Sequence, residues 1–146
     1  MQIRLTLTFV VCFTLMAEMV SAATTNKPER ADDYAAHLLT LINQYRQRHH
    51  LPQLVADARL TSLAQDHVLA MADQRQLNHD GFDARFKRAN SKRCVENIGW
   101  NYPRAEAQLA AWRTSPGHNV NLLNAEVNRV GVAVFRGYVT YFACAT

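Results

Sequence analysis

The sequence contains little glycine and proline, five and four residues respectively in a chain of 146, and no stretch is dominated by one or two residue types. This composition excludes collagen-like repeats, flexible linkers and low-complexity tails. No internal repeat occurs, and a hydrophobic content of 49% is ordinary for a globular protein. The length therefore predicts one domain with a real core and no second domain.

An excess of one charge is also missing, since 16 Lys and Arg stand against 12 Asp and Glu, for a net charge of +4. The basic residues, Arg46 and Arg85 among them, are scattered, with their densest group in residues 85–93, a pattern typical of a solvated surface. No nucleic-acid motif or aromatic platform accompanies them, so we expect no nucleic-acid partner. Weak attraction to anionic lipid or glycan surfaces stays open.

The apolar run nearest the N-terminus extends from Leu5 to Met16, behind the single charge of Arg4. Val20-Ser21-Ala22 then supplies the small residues that a signal peptidase recognises. We therefore predict that residues 1–22 are a signal peptide and that residues 23–146 form a single secreted or periplasmic domain, without a transmembrane segment after cleavage. An uncleaved membrane anchor is the alternative, although about 12 apolar residues are short for crossing a bilayer.

Cleavage would leave two cysteines, Cys94 and Cys144, in a chain bound for an oxidising compartment. We predict that they form a disulfide, with two buried free thiols as the alternative. Metal ligation by these cysteines is disfavoured, because neither a third mature cysteine nor a Cys-x-x-Cys spacing accompanies them.

Hydrophobic spacing predicts helices from Asp32 to about Arg48, from Asp57 to about residue 76 and from Pro103 to Thr114. A short fourth helix is expected to begin at Pro116, with the Ser115 side chain as its N-cap. This places His118 at the third helical position. Positive backbone dipoles at that end favour the neutral imidazole.

The C-terminal part changes to the spacing of strands. Residues 127–135 and 138–144 are rich in Val, Tyr and Phe, and Arg136-Gly137 between them can form a two-residue hairpin loop. If Phe135 pairs with Tyr138, both faces of the hairpin are largely apolar and both must be covered. With a short strand near residues 95–98, we predict a small sheet between helical layers.

Two of the six histidines lie where the chain leaves or enters a helix, His79 before Asp80-Gly81 and His118 after Pro116-Gly117. Positions of that kind often carry binding sites. His67 lies on the apolar stripe of the second helix, where a hydrogen-bonded histidine at the edge of the core is the expected role. The surface histidines are expected to be His37, His49 and His50.

A series of short motifs follows along the chain. They are Asn43-x-x-Arg46, Leu51-Pro52-x-Leu54, Leu60-x-x-x-Ala64, His79, Glu96-Asn97-Ile98, Trp112-x-x-Ser115-Pro116-Gly117-His118, Asn121-Leu122-Leu123 and Val130-Gly131-Val132. In this order they resemble bacterial members of the CAP superfamily, the secreted SCP-like domains similar to cysteine-rich secretory proteins, antigen 5 and pathogenesis-related proteins. The resemblance covers about residues 35–144 and implies an α+β fold, a three-layer α-β-α sandwich with a small, mainly antiparallel central sheet.

The resemblance also implies a central cleft, where family members place two His and two Glu that in several cases bind a divalent ion. His79, Glu96 and His118 match three of these positions, and the fourth is occupied by Ser115. Two imidazoles and one carboxylate make a chemically sensible zinc set with an open position. We therefore expect Zn²⁺ or a similar cation to bind weakly, because one ligand is missing.

Three functions stay open at this point. The first is a non-enzymatic binding domain for a lipid, glycan, peptide or ion, since no Gly-x-Ser-x-Gly or Cys-His nucleophile is present. The second is a metal-assisted hydrolase, or one that uses Glu96 as general base. The third is a structural role in the envelope or at the cell surface. We expect a monomer and favour the binding domain.

Overall fold

The computed structural model describes residues 30–145, so the predicted signal peptide, residues 1–22, lies outside the described residues. Among residues 30–145, no helix combines the length and the apolar character that crossing a bilayer requires. Residues 30–145 form five helices and four strands. In chain order they are α1 (Ala31–Arg48), β1 (Val55–Ala56), α2 (Ala58–Gln74), α3 (Phe82–Ala89), β2 (Cys94–Trp100), α4 (Ala105–Thr114), α5 (Pro116–Leu122), β3 (Arg129–Phe135) and β4 (Tyr138–Cys144).

The four strands form one sheet in the order β1-β3-β4-β2. β3 pairs antiparallel with β4, and β4 pairs antiparallel with β2, whereas the short β1 runs parallel to β3. The hairpin register confirms the predicted pairing of Phe135 with Tyr138. Arg136 and Gly137 in the loop both have positive φ, 48° and 82°, as a two-residue turn that follows the sheet twist requires.

Helices cover both faces of the sheet, as the apolar hairpin predicted. α1, α4 and α5 pack on the face that presents Val130, Val132 and Tyr141. α2 and α3 pack on the opposite face, which presents Ala133 and Phe142. The α+β class and the three-layer α-β-α sandwich with a mainly antiparallel sheet are therefore confirmed.

α2 ends at Gln74, within two residues of the predicted end, because Arg75 adopts the left-handed conformation, with φ 52°. Two local expectations were wrong. Helix α3 was not predicted, although Phe82, Arg85, Phe86 and Ala89 follow a helical spacing. Ser115 occupies the N-cap position of α5, but its side chain makes no capping hydrogen bond.

Arg46, expected on the surface, is buried with 1% of its area exposed. Its guanidinium donates to the carbonyl oxygens of Pro52, Leu122 and Asn124 at 2.8–2.9 Å. These carbonyls belong to the connection after α1, to the last residue of α5 and to the segment that follows α5. One buried cation thus satisfies the backbone of two loops.

The predicted disulfide is present and joins Cys94 to Cys144. The two residues are directly opposite each other in the β2–β4 register. The bond therefore fastens the first residue of the outermost strand β2 to the last residue of β4.

Strand β2 lies at one end of the sheet, and side chains from α4 and α5 cover its outer edge. Asn121 Nδ2 donates to the carbonyl of Glu96 at 3.1 Å, and Trp112 Nε1 donates to the carbonyl of Ile98 at 2.9 Å. Capping these alternate carbonyls satisfies the edge without another strand. It also fixes α4 and α5 along this edge of the sheet, next to the candidate site.

A substitution at Gly131 can test how closely α2 packs on the sheet. A Cβ at this position would lie 2.1 Å from the carbonyl carbon of Leu60, in the backbone of α2. We expect Gly131→Ala to lower the free energy of unfolding by about 1–3 kcal/mol, because the helix backbone must move. Urea denaturation measures this change. Gly117→Ala is the control, since nothing lies within 4 Å of its Cβ, and an equal loss in both variants would contradict the explanation.

Candidate functional site

Glu96 lies at the centre of a buried polar cluster. It is the third residue of β2, and its side chain is only 1% exposed. Of the neighbouring residues on β2, Asn97 is also buried and donates through Nδ2 to the carbonyl of His118 at 3.0 Å. Asn97, the residue after Glu96, thus connects the sheet with α5.

Arg85 on α3 provides the main partner of this carboxylate. Its Nε donates to Oε2 of Glu96 and its Nη2 donates to Oε1, both at 2.8 Å. The third guanidinium nitrogen, Nη1, donates to the carbonyl of Asp80 at 2.7 Å. This two-pronged geometry is the strongest form of an ion pair between side chains, and it compensates a charge that would otherwise be buried alone.

His79 reaches the same carboxylate from the loop between α2 and α3. Its Nδ1 lies 2.9 Å from Oε1 of Glu96, and its side chain is 52% exposed. Because an ionised carboxylate only accepts hydrogen bonds, Nδ1 is the donor and carries the proton. In the neutral imidazole, Nε2 is then left as an acceptor.

His67 on α2 is the fourth residue of the cluster. Its Nε2 lies 2.9 Å from the carbonyl oxygen of Asn78 and 3.6 Å from Oε1 of Glu96. Burial lowers the pKa of His67, and the nearby Glu96 carboxylate only partly offsets that effect. His67 is therefore the buried, hydrogen-bonded histidine that its place on the apolar stripe predicted.

His118 stands apart from the Glu96 carboxylate. It occupies the third position of α5, as predicted, and its ring lies 6.4 Å from that of Trp112. It forms no ion pair with Glu96 among the described residues. Burial, and secondarily the charge of His79, lowers the pKa of His118. The predicted preference for neutral imidazole therefore has burial as its main cause, and the two histidines are within electrostatic reach of each other.

The predicted ligand set of His79, Glu96 and His118 does not fit a metal ion in this arrangement. Both carboxylate oxygens of Glu96 accept hydrogen bonds from Arg85, and the guanidinium places a positive charge beside any incoming cation. Within residues 30–145, no group of three or more His, Cys, Asp or Glu side chains is arranged to hold a metal. The donors left for an ion are the imidazoles of His79 and His118.

A groove of about 290 Å³ opens next to His118. Its rim carries three half-exposed apolar side chains, Leu77 (47%), Trp100 (52%) and Tyr102 (38%). Its floor is formed by Trp112 and Gln108, and the remaining wall includes Ser115 and His118. We call it the Trp100 groove. Ser115, the position of the missing glutamate, thus faces a largely apolar surface.

Sequence reasoning missed Arg85, Gln108 and the rim aromatics. The signal for Arg85 was available, because it falls on the same helical stripe as Phe82 and Ala89, where a charged side chain needs a buried partner. Gln108 lies on the apolar stripe of α4 in the same way. No comparable signal marks Trp100 and Tyr102, whose neighbours come from distant parts of the chain.

Comparison with known proteins now decides the family. The family model described as CAP, cysteine-rich secretory protein family, matches residues 39–145. The chain belongs to this family. The CAP match includes every residue of the Glu96 cluster and of the Trp100 groove.

Similar proteins come from bacteria. The Bacillus subtilis protein YkwD is 29% identical over 123 residues, which cover 80% of this chain and 46% of YkwD. The solved structure of an extracellular protein containing a SCP domain from Bacillus anthracis has a TM-score of 0.75 and 28% identity, over 80% of this chain and 41% of that one. An outer surface protein from Borrelia burgdorferi shares the fold, with a TM-score of 0.70 and 18% identity, over 75% of this chain and 90% of that one. The chain thus spans less than half the length of YkwD.

The Arg85–Glu96 pair is expected to be the costliest polar contact to break. Arg85→Leu leaves a buried carboxylate without its cation, so we expect a loss of about 3–5 kcal/mol in the free energy of unfolding, measured in urea. Arg88→Leu is the matched control on the same helix. Its 2.9 Å pair with Asp66 is more than half exposed on both sides, so its loss should stay below about 1 kcal/mol. Equal effects would contradict the proposed role of burial.

The lowered pKa of His67 predicts a pH dependence of stability. Below the ordinary value of 6.5, the unfolded chain takes up a proton that the folded protein binds less readily, so stability falls as pH falls. His67→Gln removes this contribution. For one titrating group, the free energy of unfolding changes by at most about 1.4 kcal/mol per pH unit. We expect urea denaturation at pH 7 and 5 to show a smaller loss in His67→Gln than in the wild type. An unchanged slope in His67→Gln would contradict the prediction.

Proposed function

We propose that this CAP domain acts outside the cytoplasm and binds a small ligand in the Trp100 groove without converting it. The observation that carries the proposal is the state of Glu96. Its two oxygens accept three hydrogen bonds, from Arg85 and His79, so it is poorly placed to take a proton from a substrate or a water molecule. The Glu96 carboxylate is thereby committed to holding α3 and the His79 loop on the sheet.

The groove supports binding in a complementary way. Half-exposed Trp100 and Tyr102 stand beside a buried Trp112, which gives a concave apolar surface with a few polar groups at its wall. Large apolar side chains grouped in this manner are uncommon on a surface that has no partner. The volume is at the small end of ligand sites, so a single ring or a short chain segment is the size of group that fits.

The proposed localisation outside the cytoplasm rests on three observations. Residues 1–22 have the pattern of a signal peptide, and the described domain contains a disulfide, which persists in oxidising compartments. The Bacillus anthracis protein, 28% identical, is described as extracellular. Secretion to the medium or retention in a periplasm fits these observations equally.

Hydrolysis is the second candidate, and one contact favours it. Glu96 orients His79 through Nδ1, which leaves Nε2 as an acceptor on a half-exposed ring. A carboxylate behind a histidine is the arrangement by which general bases are held in position. In this reading His79, and not Glu96, would accept the proton.

A mixed panel separates binding from turnover. The purified domain is incubated with laurate, triacetylchitotriose and tetra-alanine, and the mixture is analysed by native mass spectrometry for complexes and by chromatography for products. We expect at least one compound to bind and none to be consumed, with binding reduced in Trp100→Ala. Leu69→Ala, at an exposed position on α2, is the control and should bind as the wild type does. Consumption that disappears in His79→Ala or His118→Ala would overturn the proposal in favour of the hydrolase.

Zinc binding stays a prediction, and it now depends on His79 and His118. We expect weak binding in titration calorimetry at neutral pH, reduced further in His79→Ala and lost in mild acid as the imidazoles take up protons. His50→Ala, at an exposed position, is the control. Equal zinc affinity in the wild type and His79→Ala would show that His79 is not a ligand.

A further inference from the structure

The floor of the Trp100 groove contains a buried amide without a partner. Gln108 has no exposed area, and neither its Oε1 nor its Nε2 has a hydrogen-bond partner among the described residues. Its surroundings on α4 are the apolar Ala105, Leu109 and Trp112. Leaving a buried amide unpaired costs about 1–3 kcal/mol, so such a group in a folded protein requires an explanation.

The Gln108 amide occupies space that is left open by the absence of a side chain at position 99. A Cβ on Gly99 would lie 2.0 Å from Oε1 of Gln108, so only glycine at position 99 leaves room for the amide. Gly99 and Gln108 both line the Trp100 groove. The chain therefore keeps a donor and an acceptor together at the floor of the groove, at a cost in stability.

The rest of the groove indicates what would pair with this amide. The residues around it are uncharged apart from His118, whose pKa is lowered by burial. A neutral ligand is therefore favoured over an ion. Trp100 and Tyr102 present half-exposed rings at the rim, which suit the flat apolar face of a sugar ring, while the Ser115 hydroxyl and His118 can meet its hydroxyl groups.

We propose that the Trp100 groove recognises an N-acetylated amino sugar, whose acetamido group exchanges two hydrogen bonds with the Gln108 amide. The acetamido carbonyl accepts from Nε2, the acetamido N–H donates to Oε1, and the methyl group packs against Trp112. The sugar ring lies on Trp100 and Tyr102. Because Gln108 is covered in the free protein, its approach requires side-chain movement at the floor, which is common on ligand binding.

This inference rests on the proposed binding function and names its ligand class. The test is a titration of the ¹⁵N-labelled domain with triacetylchitotriose, followed by NMR. Cellotriose, which has a hydroxyl in place of each acetamido group, is the matched probe. The two tryptophans of the chain, Trp100 at the rim and Trp112 at the floor, both give indole N–H signals. We expect triacetylchitotriose to shift both indole signals and the Gln108 side-chain amide, and to bind at least tenfold more tightly than cellotriose.

Gln108→Leu distinguishes recognition from a structural role. The variant keeps the approximate shape but removes the unpaired amide, so its thermal midpoint should be equal to or higher than that of the wild type. Its affinity for triacetylchitotriose should fall about tenfold, the value of two modest hydrogen bonds. Thr140→Val is the matched control, because Thr140 also has a buried unpaired hydroxyl but is not among the residues that line the groove. It should bind within twofold of the wild type.

Trp100→Ala is a second variant that does not depend on the core, since this side chain is 52% exposed. We expect it to fold as the wild type does and to lose about tenfold in affinity. Equal affinity for triacetylchitotriose and cellotriose, or unchanged affinity in Gln108→Leu, would overturn the assignment. If laurate or tetra-alanine shifts the indole signals and triacetylchitotriose does not, the ligand class is wrong and the binding function stands. Turnover of any probe would instead contradict the proposed function itself.

Discussion

The buried ion pair between Glu96 and Arg85 is the interaction on which the site depends. A carboxylate with 1% exposure needs a cation, and Arg85 supplies it through both oxygens. The same guanidinium holds the carbonyl of Asp80, so the pair also determines where α3 and the His79 loop lie. Without it, neither the orientation of His79 nor the packing of Phe82 on Phe142 would be maintained.

The opposite side of the site depends on how the outer edge of β2 is completed. Trp112 and Asn121 donate to alternate carbonyls of this strand, and Asn121 also donates to Asn97 at 2.9 Å. The helix α4 that caps the edge of β2 therefore also forms part of the groove. The indole that satisfies the strand also forms the floor of the groove, and the helix that carries it places Gln108 against Gly99.

The two halves of the site differ in chemistry. The Glu96 cluster is charged, internally paired and mostly buried, so it has little capacity left for a ligand except at the exposed face of His79. The Trp100 groove is neutral and open, with an amide that has no partner among residues 30–145. This division favours ligand binding in the groove, whereas the cluster holds α3 and the His79 loop in place. His118 stands where the two halves meet.

Much of the fold follows from the sequence alone. Hydrophobic spacing located three helices and the hairpin, the Ser115-Pro116 start signal located a fourth helix, and the apolar character of both hairpin faces required helices on either side. The two mature cysteines and the motif series also indicated the disulfide and the family, since these are local or pairwise features. Only the tertiary structure decided which charges are buried, because Arg46 and Arg85 become interior residues through carbonyls and a carboxylate from distant segments. For the same reason it alone separated His118 from Glu96 and brought Leu77, Trp100 and Gln108 into one groove: a groove exists only where separate elements pack.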